Sequence, residues 1–324
     1  KVVLVSGGMV EFYKVYHEAL ALVKSACPHV TTVLGGIYPT VMGGGTIKDQ
    51  NIDYVFMGHA EERISDFLKL LLENEQGKIR KFSGIGFRNE NGEMSINPAK
   101  SFISDVKCLV KPDYSLIDVD YYSQKERFSL TNPFHRRILQ IMTSYGCFYN
   151  CVFCAVRTIT GRRVTYRPLK DVLEEIEFLK KNYGVNMFRF IDDNFLADRE
   201  RVITLLNILI KQNYNITWKL TNAAAWHLDD ELLDLMKKSG CAEINISVES
   251  GNSRVLKEII RKPLDLAIIP RIVRKCKELG IDIISNFVFG FPGETWDEIR
   301  QTFRFAEECG FDLAMFTIAT PLPR

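Results

Sequence analysis

The sequence predicts an α/β protein, an incomplete parallel barrel of six βα units preceded by a smaller, doubly wound sheet. Three observations predict it. From Ile138 onward, β-branched and aromatic runs near 138–144, 187–192, 216–222, 243–249, 282–290 and 312–320 alternate with amphipathic helical stretches. Strand–helix alternation is the mark of a parallel sheet, and six units fall short of a closed eight-stranded barrel. Residues 1 to about 75 alternate in the same way on a smaller scale. A length of 324 residues suits two domains, and 46% apolar residues suffice for packed cores.

Taken in order, residues 2–5 read as the first strand, followed by the small turn Ser6-Gly7-Gly8 and a helix with apolar residues at Val15, Ala19, Leu22 and Val23. Residues 30–34 form the second strand and run into Gly35-Gly36-Ile37-Tyr38-Pro39-Thr40. Residues 53–57 form the third, ending at Gly58, with a helix from about Glu61 to Glu73. Such sheets bind ligands at the carboxyl ends of their strands, although paired glycines there also serve to make tight turns. Residues 78–134 read as a bridge. It opens with a hairpin over 84–87 and 94–96 turned at Asn91-Gly92, and continues through Lys111-Pro112-Asp113-Tyr114 to Pro133, with Tyr114, Tyr121 and Tyr122 as packing residues. The expected domains are therefore 1–77, 78–134 and 135–324. Within the last, Leu169, Val172, Leu173, Ile176 and Leu179 make the core stripe of the first helix. Gly184, Gly240 and Gly280 stop helices, and Thr295-x-x-Glu298 is a capping box.

Charge and cysteine usage exclude several function classes. Lys plus Arg at 42 against Asp plus Glu at 40 leaves +2, so no basic field for nucleic acid is expected. The pairs Arg136-Arg137 and Arg162-Arg163 read as solvated faces. No apolar run reaches the roughly 18 residues needed to span a bilayer, and no signal-peptide pattern opens the chain, so the cytoplasm is the expected location. Cys27, Cys108, Cys241, Cys276 and Cys309 are scattered singly and read as buried thiols rather than a disulfide framework. The chain starts at Lys1 inside a strand and stops just past another, as a fragment of a longer protein would.

The remaining cysteines stand together in Tyr-Gly-Cys-Phe-Tyr-Asn-Cys-Val-Phe-Cys, residues 145–154, at C-x3-C-x2-C spacing after the first barrel strand. Thiolates select zinc, copper(I) or iron–sulfur clusters. A structural zinc usually takes four protein ligands, and the nearest histidine, His135, lies twelve residues before Cys147. Three cysteines on a cubane instead leave one iron open to a small molecule. Other barrel strand ends carry candidate partners. The second ends Asp192-Asp193-Asn194, two acids placed to accept hydrogen bonds from an ammonium or to cap the next helix. The fourth ends Glu249-Ser250-Gly251, an acid that needs a ligand or a base beside it in so apolar a setting. The fifth runs through Val288 and Gly290 into Pro292-Gly293-Glu294-Thr295, and the sixth ends Thr320-Pro321.

Cys147, Cys151 and Cys154, with Phe153 directly before the last, resemble the cluster motif of the radical S-adenosylmethionine (radical SAM) superfamily. The resemblance implies a [4Fe-4S] cluster held by the three cysteines, its open iron chelating the methionine moiety of S-adenosylmethionine. Phe153, Asp192, Asp193, Glu249, Ser250, Val288 and Gly290 would border that cofactor, although the second strand end of the family is more commonly Gly-Gly-Glu. Implied chemistry is reductive cleavage to methionine and a 5′-deoxyadenosyl radical that takes a hydrogen atom from a small-molecule or peptide substrate. A flavodoxin- or ferredoxin-type protein would supply the electron.

The first-domain loops resemble the cobalamin-binding domain of one branch of that superfamily. The matching residues are Ser6, the run Gly35, Gly36, Tyr38, Pro39 and Thr40, and the ending Gly58-x-x-Glu61, with 28 residues between Ser6 and Gly35. Two departures stand out: His59-Ala60 replaces the usual Glu-Gly, and the Asp-x-His-x-x-Gly loop is absent, so no histidine ligand to cobalt is implied. The resemblance implies methyl transfer to an unactivated substrate atom. Four other readings stay open: a cyclase or rearrangement enzyme of the same branch, a radical enzyme without corrinoid, a zinc or iron–sulfur binding module, and a methylthiotransferase. The last needs an N-terminal cysteine trio, and only Cys27 and Cys108 precede the loop.

Overall fold

In the computed structural model, which describes residues 1–99, 112–123 and 137–321, two sheets each organise one unit of the chain. The first unit comprises 1–99 together with 155–161 and Pro321; the second comprises 112–123, 137–154 and 162–320.

In the first unit β1 (Val2–Ser6), β2 (Thr31–Gly35) and β3 (Tyr54–Phe56) run parallel, linked by α1 (Tyr13–Ala26) and α2 (Ile37–Val41). After α3 (Ile64–Leu72) and α4 (Gln76–Ile79), the hairpin β4 (Ile85–Arg88) and β5 (Met94–Ile96) continues the same sheet antiparallel to β3. That hairpin was expected to begin a bridge. Its turn is legible, but which sheet edge it joins is decided by Ile85 and Phe87 burying against Phe56 and Phe67. Arg88 fastens it, donating to the carbonyls of Ile47, Asp49 and Ile52 at 2.5, 3.1 and 2.6 Å. The rest of the expected bridge falls partly outside the described residues, as do Cys108, Arg136 and His135.

Helix α1 departs from its expected stripe. Leu20 and Tyr16 face the core, while Val15 and Leu22 are exposed. The helix has apolar residues on two sides, and periodicity alone does not say which side is inward. Cys27, expected to be buried, is exposed just beyond its last turn.

The second unit begins with Asp113-capped Tyr114 and the short α5 (Val119–Tyr122). Tyr114 packs as expected, with its hydroxyl on Glu175 at 2.5 Å, but Tyr121 and Tyr122 are exposed. Arg137 pairs with Asp120, and Arg162 and Arg163 are exposed. The main elements follow in order: β6 (Ile138–Ile141), β7 (Ser144–Tyr145), α6 (Val156–Thr160, grouped with the first unit), β8 (Thr165–Tyr166), α7 (Leu169–Tyr183) and β9 (Met187–Phe190). Then come α8 (Arg199–Lys211), β10 (Thr217–Ala223), α9 (Asp230–Lys238), β11 (Cys241–Glu249), α10 (Ile269–Leu279), β12 (Asp282–Phe289), α11 (Trp296–Cys309) and β13 (Leu313–Ile318).

Six strands form one all-parallel sheet in the order β13-β12-β11-β10-β9-β6, the partial barrel that the alternation predicts. Phe188, Phe190, Trp218, Leu220, Ile244, Ile246, Val248, Ile283 and Phe287 point to the helices and form the core. Alternation places Arg189, Lys219, Glu243 and Asn245 on the other face, where closed barrels carry aliphatic layers. Lys219 is 1% exposed and meets Glu243 at 3.0 Å. The helix stops stand where expected: Gly184 and Gly280 take left-handed caps, and a Cβ on Gly240 would lie 2.2 Å from the Ile216 carbonyl. Thr295 and Glu298 form the full capping box.

Candidate functional site

The cysteine loop leaves β6 and has little regular structure of its own. Its shape comes from the tip of the neighbouring strand β9, where three consecutive side chains brace three consecutive parts of the loop. Asp192 accepts from the Thr143 amide at 3.1 Å, the Thr143 hydroxyl at 2.7 Å and the Ser144 hydroxyl at 2.6 Å. Asp193 accepts from the Gly146 amide at 2.7 Å, and the Asn194 amide nitrogen lies 3.8 Å from Cys147 Sγ. Beyond Cys151, the Val152 amide donates to the Ile260 carbonyl at 2.9 Å, and Phe153 packs on Phe291 with ring centroids 5.6 Å apart.

This ladder revises the expectation for Asp192. Its carboxylate is wholly buried and turned to Thr143 and Ser144 at the start of the loop rather than to an ammonium or the next helix, because three donors converge on it there. Burial raises its pKa, against the lowering by its hydrogen bonds from Ser144 and Thr143. Asp193 is half-buried with one oxygen on Gly146.

All three cysteines are free thiols and partly exposed. Burial pushes the Cys147 thiol up, as do the nearby Cys154 and Asp193, while Asn194 draws it down. Cys151 is likewise raised by burial and by its two companions, with Lys262 acting in the opposite sense. Three soft, accessible donors on one short loop fit an iron–sulfur cluster. Among the described residues no three His, Cys, Asp or Glu side chains are placed to share a single metal ion. A cubane, with one thiolate per iron, does not require that.

At the tip of β11, Glu249 has φ +71° and is buried, its carboxylate 2.9 Å from the equally buried Lys262. The base that such an acid needs is therefore in the protein. Lys262 follows a π-helical turn (Val255–Ile260), and its ammonium lies 5.8 Å from the Trp226 ring. Trp226 donates to the Tyr149 hydroxyl at 2.6 Å, and that hydroxyl lies 2.7 Å from His227 Nε2. Ser250 is buried against Thr302 at 3.1 Å and receives the Asn252 amide, so it shapes the turn after β11 rather than facing a ligand. Val288 is half-buried in β12. Gly290 is exposed at φ +85°, its amide held by Glu294 at 2.6 Å.

In the first unit, Ser6, Gly35, Gly36 and Gly58 stand together at the carboxyl ends of β1, β2 and β3, bound by short links through the backbone and the Thr40 hydroxyl. The Gly7 amide donates to Gly35 at 2.7 Å, the Thr40 hydroxyl to Gly36 at 2.7 Å, and the Gly58 amide to the Thr40 hydroxyl at 2.8 Å. A Cβ on Gly36 would lie 2.8 Å from the Gly7 carbonyl and 3.0 Å from Ser6 Oγ. The result is a shelf of backbone and small groups, which fits a ligand that needs close backbone approach. Tyr38 and Pro39 do not join it. Both are buried, and the Tyr38 hydroxyl binds His17 Nε2 at 2.9 Å, whose Nδ1 meets Asp49 at 2.5 Å. Glu61 is drawn toward His59 at 3.5 Å, which lowers its pKa.

Residues 141–306, about half of the chain, match the family described as the Radical SAM superfamily. The chain belongs to the radical SAM superfamily. The match contains all of the radical SAM site candidates of the second unit and none of those in the first. Among curated relatives, the cytidylyl-2-hydroxyethylphosphonate methyltransferase of Streptomyces wedmorensis is 28% identical over 94% of this chain and 62% of its own length. The anaerobic magnesium-protoporphyrin IX monomethyl ester cyclase of Rubrivivax gelatinosus is 26% identical over 94% of this chain and 54% of its length. The chain thus spans about half to two thirds of these relatives. The fold matches that of the radical SAM methyltransferase TsrM from Kitasatospora setae, solved with cobalamin and a [4Fe-4S] cluster bound. Its TM-score is 0.77 at 18% identity, over 98% of this chain and 61% of that one. Among the described residues no helix is long and apolar enough to cross a membrane.

Sequence reasoning missed Asn194, Lys262 and the Tyr149–Trp226–His227 group. A signal existed for Tyr149, which lies inside the cysteine motif, and for Asn194, which directly follows Asp192-Asp193 at the same strand end; the others reach the loop through the fold.

Proposed function

We propose that this chain is the core of a cobalamin-dependent radical SAM methyltransferase acting on an unactivated atom of a small-molecule or peptide substrate. The carrying observation is three free, partly exposed cysteines on a loop braced residue by residue by the adjacent strand tip, inside the radical SAM match. In this reading the first unit binds cobalamin on the Ser6–Gly35–Gly36–Gly58 shelf, and the second is the catalytic domain. The methyltransferase named for the Streptomyces relative and the cofactors bound by TsrM support the assignment.

When bound, the cluster supplies one electron to the sulfonium of S-adenosylmethionine, and cobalamin supplies a transferable methyl group. The protein's own part is to hold and orient. Cys147, Cys151 and Cys154 bind iron. Phe153, backed by Phe291, and Val288 offer apolar borders to the adenine, and the backbone at Gly290 leaves room beside it. Glu249, fixed by Lys262, and Asp193 present acids to the polar parts of the nucleoside and methionine. A flavodoxin- or ferredoxin-type donor and a cytoplasmic setting complete the proposal.

The test is anaerobic reconstitution of the full-length protein with iron, sulfide and hydroxocobalamin, followed by reduction with S-adenosylmethionine carrying a labelled methyl group. Expected are 5′-deoxyadenosine, retained corrinoid and label in the product, with nucleoside formation lost in the Cys147→Ala/Cys151→Ala/Cys154→Ala variant. Nucleoside formation surviving in that variant overturns the cluster assignment. Nucleoside with corrinoid but no transferred label favours a ring-forming reaction of the kind that the Rubrivivax relative's name states.

A further inference from the structure

Asn194 is 2% exposed at the tip of β9, with its amide nitrogen 3.8 Å from Cys147 Sγ and its carbonyl oxygen buried without a partner. Against a Cys147 thiolate this orientation is the one that makes a bond, since the flipped amide would set an oxygen against a charged sulfur that has no proton to give. The orphaned carbonyl is informative. A buried acceptor without a donor costs about 1–3 kcal/mol, whereas an apolar side chain of the same shape can be nearly neutral. Asn194 therefore holds its donor at the sulfur at some expense of stability. Asp192 and Asp193 already brace the backbone at 143–146, so the loop has anchors without it.

From this geometry we infer that Asn194 is a positioning residue that donates to the Cys147 thiolate and thereby raises the reduction potential of the cluster. The inference rests on the assignment of Cys147 as a cluster ligand. Its physics is one of differential binding. A reduced cluster carries one more negative charge, shared with its thiolates, and a hydrogen bond to sulfur is stronger when that charge is larger. The donor favours the reduced state. Being neutral, the amide does so without adding charge to a loop that already lies near Lys262.

The experiment compares wild type with Asn194→Leu and Asn194→Asp, each reconstituted anaerobically as the full chain, by iron analysis and an EPR-monitored redox titration without S-adenosylmethionine. Both variants are expected to load iron and to show a more negative midpoint, the aspartate more so because it also brings a negative charge. Asn194→Ala, smaller and without a donor, must shift in the same direction if the leucine disturbs the loop. An unchanged or more positive midpoint in iron-loaded Asn194→Leu or Asn194→Ala overturns the inference and leaves the cluster assignment intact. A wild-type chain that takes up no iron overturns both.

Discussion

Replacing Asp192 by alanine separates two roles for this carboxylate. As a contact for S-adenosylmethionine it would matter only with the cofactor bound; as the brace seen here it matters to the apo protein. Alanine strands three buried donors, the Thr143 amide and the hydroxyls of Thr143 and Ser144. Each unsatisfied group costs about 1–3 kcal/mol, but hydroxyls can rotate to other acceptors and a backbone amide cannot, so a net loss of about 2–4 kcal/mol is expected. For a unit of this size that corresponds to a fall in melting temperature of roughly 4–16 °C. Differential scanning calorimetry of apo wild type and Asp192→Ala reads the effect, and iron uptake should fall because the loop that presents Cys147 has lost its anchor. A variant that melts and loads iron like wild type, but binds S-adenosylmethionine more weakly, would refute the brace and restore the ligand contact.

Lys219→Met removes the ammonium 3.0 Å from the buried Glu243 carboxylate, which keeps the electrostatic attraction of Arg189. The loss of stability should therefore fall short of the about 3–5 kcal/mol of a fully broken buried pair, with part recovered in Lys219→Met/Glu243→Gln; thermal denaturation of the two variants checks both statements. Gly36→Ala forces a side chain onto φ +94° and against the Gly7 carbonyl, costing about 1–3 kcal/mol. Hydrogen exchange should show it as faster exchange in β1 and β2 with barrel amides unchanged, and equal protection in both strands would count against the strain argument. His227 has its pKa lowered from 6.5 by burial and then by Arg199. Below 6.5 the unfolded chain binds more protons than the folded one, so this contribution is constant above that pH and is lost as pH falls toward the folded value. Melting temperatures followed from pH 8 to 5 should fall less steeply in His227→Gln, and an unaltered slope would remove His227 as the cause.

The parts that sequence revealed share a property: their information is local. The C-x3-C-x2-C spacing, the strand–helix alternation and the Thr295–Glu298 box each lie within a few residues, so neighbours in the chain are enough. What stayed hidden was pairing over distance. Asp192 finds Thr143 and Ser144 nearly fifty residues away, and the base beside Glu249 is Lys262, beyond a π-helical turn. The hairpin was legible, but its sheet edge was not, since a turn specifies its two strands and not their neighbour. The same limit applies to α1, whose two apolar sides compete for one core.

Seen together, the strand tips of the second unit explain why its site residues are not interchangeable with any small polar group. Residues with positive φ stand at Gly146, Asn222, Glu249 and Gly290, at or just beyond four of these tips. Glycine takes that conformation freely; Asn222 and Glu249 do not, and they coincide with slips in strand register near 220–223 and 247–249. A left-handed glutamate costs of order 1–3 kcal/mol and persists only where the surroundings over-determine it. At Glu249 they do, through the buried ammonium of Lys262. If the turn alone mattered, glycine would serve better there, as it does at positions 146 and 290. The strain is therefore tied to the carboxylate itself, which the backbone turns toward Lys262 beside a cysteine loop that the tip of β9 already holds in place.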